Sequence, residues 1–204
     1  MELKIPPTAY GVTLFVRRGE AHKGVPAISR TLTQEGADHC IRVSSYWEEV
    51  IGSLSARFDR PRYFTGPMPA MVLTCYFIFG PSAITVHPHL ASTVSGKTVQ
   101  EGRWFEAQRA AGKTRVQIIR ALWEDPTIWE GQPFEHQSRQ VHQFLVEEEA
   151  GLFRIAVSDE PSITLALLGT VDDDMLGLGP CEGLLIFRDR EGTIVGTQKL
   201  VPSA

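Results

Sequence analysis

Cysteine is scarce in this sequence: Cys40, Cys75 and Cys181 stand far apart in 204 residues. They build neither a disulfide framework nor a CxxC zinc motif, which points to a reducing compartment and so to an intracellular, cytoplasmic location. No apolar run approaches the roughly 20 residues that a bilayer-crossing helix needs. The longest nearly uncharged stretch, Met68–Phe79 (MPAMVLTCYFIF), falls well short, so no transmembrane segment is expected. Met1–Tyr10 has two prolines and no apolar core, unlike a secretory leader. Internal repeats, low-complexity tracts and an HExxH motif are all missing. Wholesale disorder is excluded too, because 43% of the residues are hydrophobic and only 22% charged.

What is present is a polarised charge distribution. Residues 1–120 carry 15 Lys/Arg against 9 Asp/Glu, whereas residues 121–204 carry 5 against 15. Such a split suits a molecule whose ends attract each other in an assembly, or whose basic part meets an anionic partner. On this reading Arg17, Arg18 and Trp129 are the candidate partner contacts, Trp129 as an exposed aromatic anchor.

The chain reads as one α+β domain over 1–204, with an internal boundary near 126–133. Tyr10–Arg17 alternates and is rich in β-formers, so it is a strand. Cys40–Val43 is a short strand after a turn at Glu35–Asp38. Ser45 and Glu48 have capping-box spacing, and Trp47, Val50, Ile51, Leu54 and Phe58 follow at helical intervals, which predicts a helix ending before Pro61. Met71–Phe79 is then the buried central strand, turned by Gly80-Pro81-Ser82 into a hairpin partner at Ala83–His87. Val99–Ala111 and Thr114–Trp123 are two helices separated by Gly112. Val141–Val146 and Leu152–Val157 form a hairpin, Ile163–Val171 is a strand, and Glu182–Arg188 with Thr193–Val201 closes the chain as a last hairpin. The expected architecture is an antiparallel sheet under two to three helices, with a hairpin-rich C-terminal half.

The chemistry-bearing clusters are few. In extended chain His87 and His89 project to one face and can share a metal, with Asp172–Asp174, His136 or His142 as third ligand if the fold brings them close. Two GKT runs, at 96–98 and 112–114, follow four-residue spacers as in a phosphate-binding loop. Both have alanine at the first position, where that loop needs glycine, and the second sits between helices. No cofactor is expected from them. Cys181 lies among carboxylates, which oppose a reactive thiolate, and Cys40 and Cys75 read as structural. No catalytic residue emerges from the sequence.

One layout comparison remains. A proline-rich tip at Pro6-Pro7-Thr8-Ala9-Tyr10, a strand, a Trp-containing helix, a buried strand and the hairpins at Phe144–Ser158 and Glu182–Leu200 resemble the rhabdovirus matrix proteins. The tip has one residue too many for the PPxY motif, and only Lys4 precedes Arg17-Arg18. The resemblance implies a matrix-like assembly protein acting through self-association, a protein partner or an anionic membrane surface. The expectation is therefore a non-enzymatic interaction or assembly protein that docks through charge-complementary faces. The alternatives are a metal-dependent hydrolase centred on His87 and His89, and a nucleic-acid binder using the basic residues of 1–120.

Overall fold

The computed structural model describes residues 2–23, 29–81, 83–90, 99–125, 139, 141, 143–144 and 152–203. Its frame is a six-stranded sheet in the order β3-β2-β4-β1-β5-β6. The strands are β1 (Gly11–Arg17), β2 (Arg62–Thr65), β3 (Ile84–Val86), β4 (Phe153–Ser158), β5 (Gly183–Arg188) and β6 (Ile194–Leu200). β1 lies at the centre, parallel to β4 with Val12 opposite Phe153, and antiparallel to β5 with Leu14 opposite Leu185. β2 runs parallel to both β4 and β3, and β5 and β6 form the antiparallel edge.

Both faces of this sheet are covered. On one face Val12, Leu14 and Val16 of β1 join Phe153, Ile155 and Val157 of β4 beneath three helices, α1 (Gln34–Arg42), α2 (Ser44–Ser55) and α3 (Pro69–Phe79). On the other, Phe15, Ala156, Leu184 and Ile186 pack against residues of α5 (Arg115–Glu124) and α6 (Glu160–Leu167). A further small cluster ties α5 and α6 to Trp104 and Phe105 of α4 (Val99–Ala110). Period-two strands with apolar residues in both phases, as in GVTLFV, are what a sheet buried on both sides requires. The result is a mixed α/β fold, parallel across β3-β2-β4-β1 and antiparallel across β1-β5-β6, which corrects the antiparallel sheet expected from the sequence.

The largest correction concerns Met68–Phe79. It is not a central strand but helix α3, with Pro69 in its first turn and Gly80 at φ 76° closing it. A short apolar run cannot be assigned by periodicity alone; its length, longer than most strands, favours a helix. An all-round apolar helix satisfies its own backbone and enters the core without a polar face. Burying side chains such as Met71 and Ile78 contributes roughly 1.5–3 kcal/mol each, which outweighs a missing N-cap hydrogen bond worth about 1 kcal/mol.

Other segments change for related reasons. Residues 34–42, expected as turn and strand, form α1, capped by Thr33, whose side chain accepts from the Gly36 amide. Ile163–Val171 falls largely in α6, capped by Asp159. Ser45 does not cap α2, which begins one residue earlier without a side-chain cap; a complete capping box instead opens α5, with Thr114 and Gln117. Ile84–Val86 is a strand, but it pairs in parallel with β2 rather than as a hairpin. Val141, Gln143 and Phe144 are helical. The hairpin turn at 147–151 and the boundary at 126–133 lie outside the described residues. The strand at β1, the helices α2, α4 and α5, and the closing β5–β6 hairpin agree with their expected positions.

Trp47 of α2 is fully buried in the core cluster beneath β1. Trp47→Ala is expected to destabilise the fold by about 3–5 kcal/mol, whereas Tyr76→Ala, at a half-exposed position, stays within about 0.5 kcal/mol. Urea unfolding followed by circular dichroism checks both.

Candidate functional site

In an open sheet with parallel strands, ligands bind beyond the carboxyl ends where consecutive connections leave for opposite faces. Here that place lies between β1 and β4. The chain leaves β1 towards α1 on one face and leaves β4 into α6 on the other. Arg17 and Ser158 stand opposite each other at the last paired position, and the Arg18 amide donates to the Ser158 carbonyl at 2.9 Å.

Beyond this edge the backbone turns tightly. The Gly19 amide donates to Thr74 Oγ1 of α3 at 3.0 Å. A Cβ at residue 19 would sit 2.8 Å from Cys40 Sγ and 3.1 Å from the Gly36 carbonyl oxygen. Only glycine allows the loop after Arg18 to press this closely on α1 and α3, and that contact holds Arg17 and Arg18 at the mouth of the crevice.

The crevice is a cleft of about 670 Å³. Arg17, Arg18 and Arg30 line it from the β1 side, and Lys23 stands on the same loop. Arg109, Lys113 and Arg115 enter from the end of α4, the intervening turn and the first turn of α5. Glu20 and Glu106 are the acidic residues described on its wall. The helix dipole of α5, whose first residue is Arg115, adds partial positive charge at that terminus.

Three carboxylates hold this charge in place. Glu160, its side chain 1% exposed, lies 2.9 Å from Arg115 Nε and accepts a hydrogen bond from Thr164 at 3.1 Å. Burial pushes the Glu160 carboxyl above the usual range, opposed by Arg115 and Arg17. Asp159 caps α6 by accepting from the Ser162 amide and favours the charged form of Arg18. Glu106 pairs with Arg109 at 3.0 Å on the exposed rim. Arg17 is anchored by donating to the Leu178 carbonyl, and its own carbonyl accepts from the Cys181 amide at 3.0 Å. Burial first, and Arg115 second, holds Arg17 below the ordinary arginine range; burial does the same to Arg18, with Arg30 and Arg115 adding to it. Crowded, partly desolvated guanidinium groups of this kind are stabilised by an anion placed among them.

The residues singled out in the sequence separate accordingly. Arg17 and Arg18 meet at the cleft, while Trp129 lies outside the described residues, as do His136 and His142. His87 and His89 follow β3, their rings 4.9 Å apart edge to face, with His87 also packed on Phe64 and Phe144. Neither is described on the cleft wall. Among the described residues no group of three His, Cys, Asp or Glu is placed to hold a metal ion. Of the two GKT runs, 96–98 lies outside the described residues. The other is the α4–α5 turn, where Gly112 has φ 76°, Thr114 caps α5 and Lys113 faces the cleft. Sequence reasoning missed Arg30, Arg109 and Arg115. The one usable signal for Arg115 was the capping box around it, Thr114-Arg115-Val116-Gln117.

No family model matches the chain, and no curated protein matches it by sequence. Solved structures do match in fold. A phosphoserine phosphatase from Entamoeba histolytica, in complex with 3-phosphoglyceric acid, superposes with a TM-score of 0.65 at 18% identity, covering 95% of this chain and 98% of that one. A phosphoglycerate mutase from Bacillus anthracis str. Sterne gives 0.63 at 14% identity, covering 97% and 95%. A mycobacterial glucosyl-3-phosphoglycerate phosphatase, in complex with inorganic phosphate, gives 0.59 at 14%, covering 95% and 97%. The fold is thus that of histidine phosphatase and phosphoglycerate mutase-like proteins, over nearly the whole chain. This overturns the likeness to rhabdovirus matrix proteins, and with it the expectation of a non-enzymatic, matrix-like interaction or assembly protein: the three neighbours named are two phosphatases and a mutase.

The raised Glu160 carboxyl sets a sign for pH dependence. The unfolded chain loses this proton at lower pH than the folded one, so the wild type loses stability as pH rises through the carboxylate range and towards the raised folded value. Glu160→Gln removes that loss. Urea midpoints measured from pH 4 to 7 are expected to shift progressively in favour of the variant; a constant difference across that range contradicts the assignment.

Proposed function

We propose that this chain recognises the phosphoryl group of phosphate esters in the cleft beyond β1 and β4, and acts on such esters in the reaction class of phosphoryl hydrolysis or transfer. The observation that carries this reading is the convergence of Arg17, Arg18, Arg30 and Arg115 on one crevice at the switch point of the sheet. Guanidinium forks match the planar faces of phosphate oxygens and donate two hydrogen bonds at once. Supporting it, the similar folds include a phosphatase holding inorganic phosphate and another holding 3-phosphoglyceric acid.

The arrangement suits the chemistry of phosphoryl transfer. In such a reaction charge spreads over the equatorial phosphoryl oxygens, and the protein's main contribution is positioning and electrostatic stabilisation. Arg17 and Arg115 are oriented by Glu160 and by the Leu178 carbonyl, so they meet that charge without rearranging. Glu160 is a positioning residue: it is buried behind the arginines and acts through them.

A second reading is favoured by one specific observation. The described residues lining the cleft include no histidine, cysteine, serine or threonine. Among the described residues a covalent route would therefore rest on a carboxylate or an amine, Glu20, Glu106, Lys23 or Lys113, and attack by water on Glu20 or Glu106. The second reading is a receptor that binds phosphate esters and releases them unchanged.

Isothermal titration with inorganic phosphate and tungstate at low salt tests recognition. Binding is expected in the wild type. Each charge-assisted contact contributes about 1.5–3 kcal/mol, so Arg18→Gln is expected to weaken binding by roughly 10-fold or more. No binding at millimolar anion, or binding unchanged in folded Arg18→Gln, contradicts the proposal. Phosphate release from p-nitrophenyl phosphate separates the two readings: turnover that falls in Arg18→Gln supports the first, and anion binding without release supports the second.

A further inference from the structure

We infer that Cys40 and Cys181 form a modification site, at which a hydroperoxide converts the two thiols to an intramolecular disulfide that latches α1 to the loop before β5. This goes beyond the phosphate-ester reading and does not depend on it.

The fold alone makes the pair. Cys40 stands on α1 and Cys181 just before β5, 141 positions apart in the chain, yet their sulfurs lie 3.5 Å from each other. Both residues are fully buried. A disulfide needs a sulfur separation of about 2.05 Å, so the bond asks for a further approach of the two side chains and no refolding.

Cys181 is held in this place at a conformational cost. Among the described residues it is the one non-glycine residue with a positive φ, 60°. A Cβ disfavours that left-handed conformation, which glycine adopts freely. The Cys181 amide is committed to the Arg17 carbonyl at 3.0 Å, so the backbone does not relax. Strain that brings one sulfur against another points to use rather than packing.

The two thiols are also unlike. The hydrogen bond between them moves Cys40 below the ordinary thiol range and Cys181 above it, with burial opposing the first shift and adding to the second. Cys40 is the attacking sulfur and Cys181 the resolving one. Burial pushes the Cys75 thiol up to about 12, which suits neither role.

The route to the pair is short. Arg18 and Pro180 line the cleft, and Gly19 and Cys181 follow them in the chain. Gly19 lies against the Cys40 sulfur, which would be 2.8 Å from a Cβ at that position. Opening of the glycine loop admits a small peroxide from the cleft.

In the first step the Cys40 sulfur attacks one peroxide oxygen and the O–O bond breaks. The other oxygen leaves with the thiol proton, as water when the oxidant is hydrogen peroxide. The Cys181 sulfur then attacks the sulfenic acid: the S–S bond forms, the S–O bond breaks, and hydroxide departs as water with the second proton. Two electrons pass from the sulfurs to the peroxide, and a dithiol returns them. The bond ties α1 to the segment whose Leu178 carbonyl and Cys181 amide hold Arg17, and it restricts the unfolded chain by closing a long loop.

Hydrogen peroxide treatment of the native wild type, Cys40→Ser and Cys181→Ser, followed by alkylation in denaturant and peptide mapping, tests the inference. Free thiols in the wild type are expected to fall from three to one, with a linked peptide joining Cys40 to Cys181 and dithiothreitol restoring the full count. Either variant is expected to form no intramolecular disulfide. The oxidised wild type is expected to have a higher urea midpoint and slower hydrogen exchange at the Gly19 and Cys181 amides. Three thiols surviving peroxide, a linkage through Cys75, or crosslinks only between chains overturns the inference. A Cys40–Cys181 bond that changes neither the urea midpoint nor the exchange overturns the latch.

Discussion

The burial of β1 on both faces is the constraint on which the rest depends. A strand with Val12, Leu14 and Val16 in one core and Phe15 in another offers no surface for charge along its length. Polar function is therefore confined to its end. There β4 runs alongside in parallel, so two carboxyl ends open at the same edge and their connections part to opposite faces. The antiparallel partner β5 on the other side fixes the height of that edge: the Cys181 amide, just before β5, bonds the Arg17 carbonyl. The crevice is thus a consequence of topology, and the arginines fill a place that the sheet has already made.

Concentrating guanidinium groups there is costly. Burial and mutual repulsion both act against the charged forms of Arg17 and Arg18. Glu160 offsets part of this, but only by taking a carboxylate out of water beneath Arg115. Only Glu160 of this pair is buried, Arg115 being 40% exposed, so removing Arg115 would leave a buried carboxylate without its partner. On the proposed function, the arrangement is preorganisation: the guanidinium charge is already in place for a phosphate group. The tight loop at Gly19, pressed on Cys40 and bonded to Thr74, serves the same end by fixing the backbone that carries these arginines.

Much of the local structure was legible in the sequence because it rests on local pattern. β1 alternates, α2 repeats its apolar residues at helical spacing, and the β5–β6 hairpin has turn residues at Asp189–Gly192. The pairing scheme was not legible. β1 and β4 are neighbours in the sheet, yet Val12 and Phe153 are far apart in the chain, and nothing near either residue encodes their parallel register. The α3 segment misled because an apolar run without polar gaps carries no period to read, and the same holds for the apolar residues of Ile163–Leu167. For the site, Arg17 and Arg18 stood out as an adjacent basic pair at a strand end. Arg30, Arg109 and Arg115 did not, because they join the pair only through the fold. Lys113 was visible in a GKT run read as lying between two helices, and it reaches the cleft from that helix–helix turn.

The central claim is that an oxyanion of phosphate geometry sits among the arginines at the carboxyl ends of β1 and β4. Crystals of the protein soaked in tungstate, with tungsten located from its anomalous signal, test this most directly. The account expects a tungsten peak within hydrogen-bonding reach of Arg17 and Arg18, its oxygens taking up guanidinium N–H groups. Tungsten bound only elsewhere on the protein, with the cleft accessible to solvent and empty of it, would contradict the account.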